Sequence, residues 1–131
     1  MIALDTNVLV RFLVDDDAAQ RERARRLLAR ALRDDERVLV SVIVACETVW
    51  VLSSAYSFTR EQITGVLDSL LRSPQLEFEH ADDVRAALEA HRSGRGDFAD
   101  YVIRERARRN GCEAVATFDK TLLKERGFVA P

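Results

Sequence analysis

The sequence predicts an α/β fold, a three-layer α/β/α sandwich around a central, mostly parallel sheet of four to five strands. Three observations predict it. The runs Ile2-Ala3-Leu4, Val38-Leu39-Val40 and Ala114-Val115-Ala116 are apolar without polar alternation, as in strands buried on both faces. Segments of helical periodicity alternate with them. No repeat or linker interrupts the 131 residues, so a single domain over 1–131 is expected.

The elements follow in order. After Ile2–Leu4, residues Val8, Leu9, Phe12 and Leu13 fall at helical spacing, and Asp5 stands where the strand gives way to that helix. Asp15-Asp16-Asp17 ends it. Three consecutive carboxylates in a connection face water, and Asp17 can cap the next helix. There Ala24, Leu27, Leu28, Ala31 and Leu32 make one apolar stripe. The other face carries Arg21, Arg23, Arg25, Arg26, Arg30 and Arg33. It reads as a solvated face partly paired by Glu22 and Asp34, with a phosphate-contacting surface as the alternative.

Val38–Val40 is the second strand, and Ser41 can cap a third helix from Val42 to about Ser54. On that helix Ile43, Val44, Trp50 and Val51 form an apolar arc with Glu47 in its middle. Thr59 and Gln62 spell a capping box, and Phe58 with Ile63 a hydrophobic staple. The stripe Ile63, Val66, Leu67, Leu70 and Leu71 follows. Ser73-Pro74 stops the helix before a third strand, Leu76-Glu77-Phe78. Residues 81–91 read as a helix through Val84, Ala87 and Leu88. The loop Ser93-Gly94-Arg95-Gly96 lacks the spacing of a phosphate-binding loop. In the helix after it, Phe98, Ala99, Val102, Ile103 and Ala107 face the core, while Asp97 and Asp100 share another face of the first turn. Gly111 stops that helix. Ala114–Ala116 is the fourth strand, Asp119 can cap a short helix containing Leu122 and Leu123, and Phe128-Val129 is an edge strand.

Composition narrows the function. An apolar fraction of 47% with 32% charged residues describes a soluble globular protein. No run reaches the length of a membrane span, and no basic-then-apolar leader opens the chain. Cys46 and Cys112 lie in apolar-rich segments and read as reduced core thiols in a cytoplasmic protein, with a bridge between them as the alternative. A net charge of −2 excludes a globally basic nucleic-acid binder; a polyanion would need a local patch or bound cations. His80 and His91 have no Cys or His partner at zinc-ligand spacing.

The informative residues are carboxylates. Asp5, Glu47, Asp97, Asp100 and Asp119 come from four distant segments, and the topology is expected to bring them to one edge of the sheet. Each alone reads as a cap or a rim residue. Together they repel: two carboxylates about 5 Å apart cost about 3 kcal/mol at an effective dielectric near ~20. Divalent cations relieve that cost. Oxygen ligands without His or Cys point to Mg²⁺ or Mn²⁺, and such a site suits phosphodiester hydrolysis.

Four motifs then resemble the PIN-domain ribonucleases, in particular the compact VapC-type toxins. Ile2-Ala3-Leu4-Asp5-Thr6-Asn7 is similar to the family's opening motif, and Ser41-Val42-Ile43-Val44-Ala45-Cys46-Glu47 to its second. Gly96-Asp97-Phe98-Ala99-Asp100 is similar to the third, with Asp100 ranked above Asp97, and Thr117-Phe118-Asp119 to the last, whose acid varies most between members. The resemblance implies catalytic and metal-binding roles for Asp5, Glu47, Asp100 and Asp119, metal binding by Asp97, and polar support from Thr6, Asn7 and Thr117. It also implies a Mg²⁺-dependent endoribonuclease acting on a structured RNA such as a tRNA, a homodimer, and a neutralising antitoxin.

Rival readings differ at named positions. A receiver domain needs an Asp after its third strand, where Glu79-His80 stands. A haloacid-dehalogenase-like phosphatase needs a second Asp two residues after the first, where Asn7 stands. A non-catalytic binding module that keeps the acids as caps is separated from a nuclease by chelator-sensitive cleavage.

Overall fold

The computed structural model describes residues 1–131. It divides into two compact units, Met1–Ala81 and Asp82–Pro131.

In the first unit, β1 (Ile2–Ala3), β2 (Val38–Val40) and β3 (Leu76–Phe78) form a parallel sheet in the order β1-β2-β3. Ile2 pairs with Val38, and Val38 in turn with Leu76. Between strands run α1 (Thr6–Leu13), α2 (Ala18–Arg33), α3 (Val42–Tyr56) and α4 (Arg60–Arg72). Helix α1 packs on both α2 and α3. The core collects Leu4, Leu9, Val10, Val38, Val40, Leu52, Ile63 and Leu67.

The caps follow local chemistry. Asp17 accepts from the Gln20 N–H at the start of α2, and Ser41 from the Val44 N–H at the start of α3. Thr59 and Gln62 close the expected box reciprocally, at 3.1 and 2.9 Å. The acidic triplet is spent locally: Asp15 pairs with Arg21, Asp16 with Arg11 and the Tyr56 hydroxyl, and Asp17 caps.

The second unit holds α5 (Ala81–Ser93, beginning at the boundary residue), α6 (Phe98–Arg109), β4 (Val115–Ala116), a short 3₁₀ helix (Leu122–Lys124) and β5 (Phe128–Val129). Strands β4 and β5 are parallel, with Val115 opposite Phe128. Gly111 follows α6 at φ 85°, the left-handed conformation that ends a helix. Asp83 on α5 is buried and ties α5 to α6 through Arg106 (2.8 Å) and Arg109 (2.9 Å).

Five parallel-paired strands match the expected α/β class, but they form sheets of three and two, not one sheet of four to five. Strands of two or three residues have few ladder groups, and one or two neighbours satisfy them. Ile2 and Ala3 are exposed, against the expectation of a strand buried on both faces; Leu4 alone is buried there. Helix α3 is also rotated from its expected face. Val44 is buried as expected, together with Ala45, Thr48, Val49 and Leu52, while Ile43, Glu47 and Trp50 are exposed. That helix is apolar almost all round, so periodicity could not choose a face. Leu32 is exposed on α2 and Ile103 on α6, whereas Tyr101 is fully buried. Cys46 is half-buried and Cys112 exposed, so only the first is near a core; both are free thiols.

Candidate active site

Asp5 follows β1 in the N-cap position of α1. Its carbonyl accepts from the Val8 and Leu9 N–H groups at 3.1 and 3.3 Å, but its side chain makes no cap hydrogen bond. Asp17, Ser41 and Thr59 all use their side chains at equivalent positions. The exposed Asp5 carboxylate is therefore not consumed by capping.

The next residue reaches across to α3. Thr6 is buried, and its hydroxyl donates to Oε2 of Glu47 at 2.6 Å. Glu47 is exposed, not inside an apolar arc as periodicity suggested, and its Oε1 has no protein donor. The first unit thus links the β1–α1 junction to Glu47 through Thr6. Asn7 is exposed and lines a cavity of about 420 Å³ with Arg11, Gln20 and Arg23.

The second unit gathers the remaining acids. Asp97 is the N-cap residue of α6, and Asp100 Oδ2 accepts from the Asp97 N–H at 2.9 Å. Asp119 donates its N–H to Thr117 Oγ1 at 3.0 Å and accepts from the Thr121 N–H through Oδ1 at 2.8 Å. The half-buried Asp100 carboxyl is held above its ordinary pKa. Burial is the main cause; the charges of Asp97, Asp119 and Glu125 add to it, and the Asp97 N–H opposes it.

Glu125 and Tyr101 were not singled out from sequence. The buried Tyr101 hydroxyl lies 2.6 and 2.8 Å from the two Glu125 oxygens and accepts from the Gly96 N–H at 2.9 Å. A Cβ on Gly94 would stand 2.0 Å from that hydroxyl oxygen, so the loop closes on the phenol only with glycine there. Lys124-Glu125-Arg126 reads as a surface charge run; only the pairing of Glu125 with a buried tyrosine sets it apart.

The residues fit a hard cation by two tests. Glu47, Asp100 and Asp119 each have one oxygen fixed by a protein donor and the other without one. No salt bridge neutralises Asp97, Asp100, Asp119 or Glu125. The structure brings no three acidic, His or Cys side chains together within reach of one ion.

Comparison with known proteins places the chain in a family. The PIN domain model matches residues 2–128. The chain belongs to the PIN-domain family. The three-layer α/β/α fold of that family is the class that the sequence predicts. This PIN domain is 27% identical over 128 residues to a VapC ribonuclease of Aquifex aeolicus (strain VF5), covering 98% of this chain and 93% of that protein. The kinship with compact VapC-type members, expected from the four motifs, is supported by that similarity.

Proposed function

We propose that this PIN domain is a Mg²⁺- or Mn²⁺-dependent endoribonuclease and the toxin of a toxin–antitoxin pair. The observation that carries the reading is the Asp5 carboxylate, left out of the cap it sits on, within a chain matched by the PIN family over residues 2–128. Asp5, Glu47, Asp97, Asp100 and Asp119 are its metal ligands, and Asp5, Glu47, Asp100 and Asp119 its catalytic acids. When bound, the cation lowers the pKa of the attacking water and stabilises the leaving oxygen.

The chain's own groups orient those acids. Thr6 fixes one oxygen of Glu47 and leaves the other for a cation. The Asp97 N–H does the same for Asp100, and the Thr121 N–H for Asp119. Thr117 holds the backbone of Asp119. Such fixation limits reorganisation when charge develops on the reacting phosphate. Asn7 gives the site polar support. The substrate class is RNA, with a tRNA or other structured RNA as the target. An antitoxin covers the acidic site with an arginine, since guanidinium pairs with carboxylates bidentately. The protein acts in the cytoplasm as a homodimer. No helix is long and apolar enough to cross a membrane.

The test is incubation of the purified protein with RNA and Mg²⁺. Cleavage leaving 5′-phosphates and abolished by EDTA is expected. Full activity in excess EDTA, or 2′,3′-cyclic phosphate products, would overturn the mechanism; RNA binding without cleavage would leave the non-catalytic module.

A further inference from the structure

We propose that an arginine stripe along α2, beginning at the cavity beside Asn7, is the track that binds the RNA backbone. The inference rests on the ribonuclease reading and names where the substrate strand lies.

Arg23, Arg26, Arg30 and Arg33 are spaced i, i+3, i+7 and i+10, which places them on one face of α2. All four are exposed. The stripe runs about 15 Å at 1.5 Å per residue. Arg26 is paired with Glu22 at 3.1 Å, across two exposed side chains, but Arg23, Arg30 and Arg33 belong to no salt bridge. Attraction to the C-terminal end of the helix dipole accounts for Arg30 and Arg33. It does not account for Arg23, which lies in the N-terminal half of α2.

Arg23 has a second feature. It lines the cavity of about 420 Å³ between α1 and α2, together with Asn7, Arg11 and Gln20. Arg11 is pinned there by Gln20 (2.7 Å), Asp16 (3.3 Å) and the Tyr56 hydroxyl (3.2 Å). Arg23 has no such restraint. One wall of this cavity is thus two residues from Asp5, and another is the first guanidinium of the stripe. A chain of net charge −2 gains nothing from a general positive field, so a local cationic row beside an acidic centre fits a polyanion that must be led past carboxylates. Guanidinium matches phosphate bidentately, and contacts of this kind position a strand without reading its bases.

The experiment measures binding of a fluorescein-labelled, single-stranded RNA of mixed sequence in EDTA, across a salt series. It compares wild type, the triple variant Arg23→Gln, Arg30→Gln and Arg33→Gln, and a control with Arg37→Gln, Arg72→Gln and Arg85→Gln, whose arginines are all salt-bridged. Each phosphate contact contributes about −0.7 to the slope of log K against log salt on single strands. The stripe variant is expected to lose about 2 from that slope and about tenfold in affinity, with the control near wild type. An unchanged stripe variant, or equal losses in both variants, would overturn the proposal. So would wild type that cleaves RNA yet uses the stripe only for an acidic protein partner. Wild type with no Mg²⁺-dependent RNA cleavage contradicts the ribonuclease reading instead. Circular dichroism and Tm confirm that each variant is folded.

Discussion

Thr6 donates its hydroxyl hydrogen to Oε2 of Glu47 at 2.6 Å, across 41 residues of sequence. One hydrogen bond therefore joins the start of α1 to an acid on α3. Thr6→Val keeps the shape of a buried side chain and removes the donor. RNA cleavage is expected to fall about tenfold, as when a group that orients a metal ligand is lost. Thr6→Ser is expected to restore most of it. The check is initial cleavage rate against Mg²⁺ concentration; equal rates for Thr6→Val and wild type would show that the bond does not position Glu47.

This pair also marks what was legible in the sequence. Thr6 and Glu47 could be named from the strand–Asp–Thr–Asn pattern and the Ser41–Glu47 segment, but their contact could not. Four of the five strands were legible as short apolar runs, the third as Leu76-Glu77-Phe78 after the Ser73-Pro74 stop, and the α4 cap was legible in Thr59 and Gln62. The face of α3 was not, because Ile43, Val44, Val49, Trp50 and Val51 surround it with apolar side chains. Tyr101 was missed as a core residue since the partners of its buried hydroxyl, Glu125 and Gly96, lie 24 and 5 positions away. The division of five strands into two sheets depends on pairing choices that two-residue strands do not specify locally.

Tyr101→Phe deletes the hydroxyl that joins Glu125 to the Gly96 N–H. It removes the hydrogen bonds to Glu125 and from the Gly96 N–H, and a loss of about 1–3 kcal/mol is expected. Urea denaturation measures it. Gly94→Ala is expected to destabilise as well, because its Cβ would meet the Tyr101 hydroxyl oxygen at 2.0 Å. Unchanged midpoints in both variants would mean that the loop does not depend on the phenol.

Asp83 supplies a pH-dependent contribution. Burial pushes its carboxyl up, but hydrogen bonds and charge from Arg106 and Arg109 outweigh that and hold it below its ordinary value. A depressed carboxyl stabilises the fold above its unfolded pKa, near ~3.9, and loses that contribution as pH falls through the lower folded value. Asp83→Asn is therefore expected to lower Tm by several degrees at neutral pH. The gap from wild type should narrow below about pH 4. A gap that is constant with pH would assign the effect to packing.

The central claim is that the acids form a metal centre and are not a set of helix caps. Melting curves of wild type, Asp5→Asn and Asp100→Asn, in EDTA and in Mg²⁺, test it most directly. The Asp100 carboxyl is raised by burial first and then by neighbouring acids, so its charge opposes folding above its folded pKa and ceases to do so at acid pH. In EDTA at neutral pH, Asp100→Asn is expected to melt above wild type. Mg²⁺ is expected to raise the Tm of wild type, following RT ln(1 + [L]/Kd), and to raise both variants much less. A wild-type Tm unmoved by Mg²⁺, with both variants melting below it in EDTA, would contradict the claim.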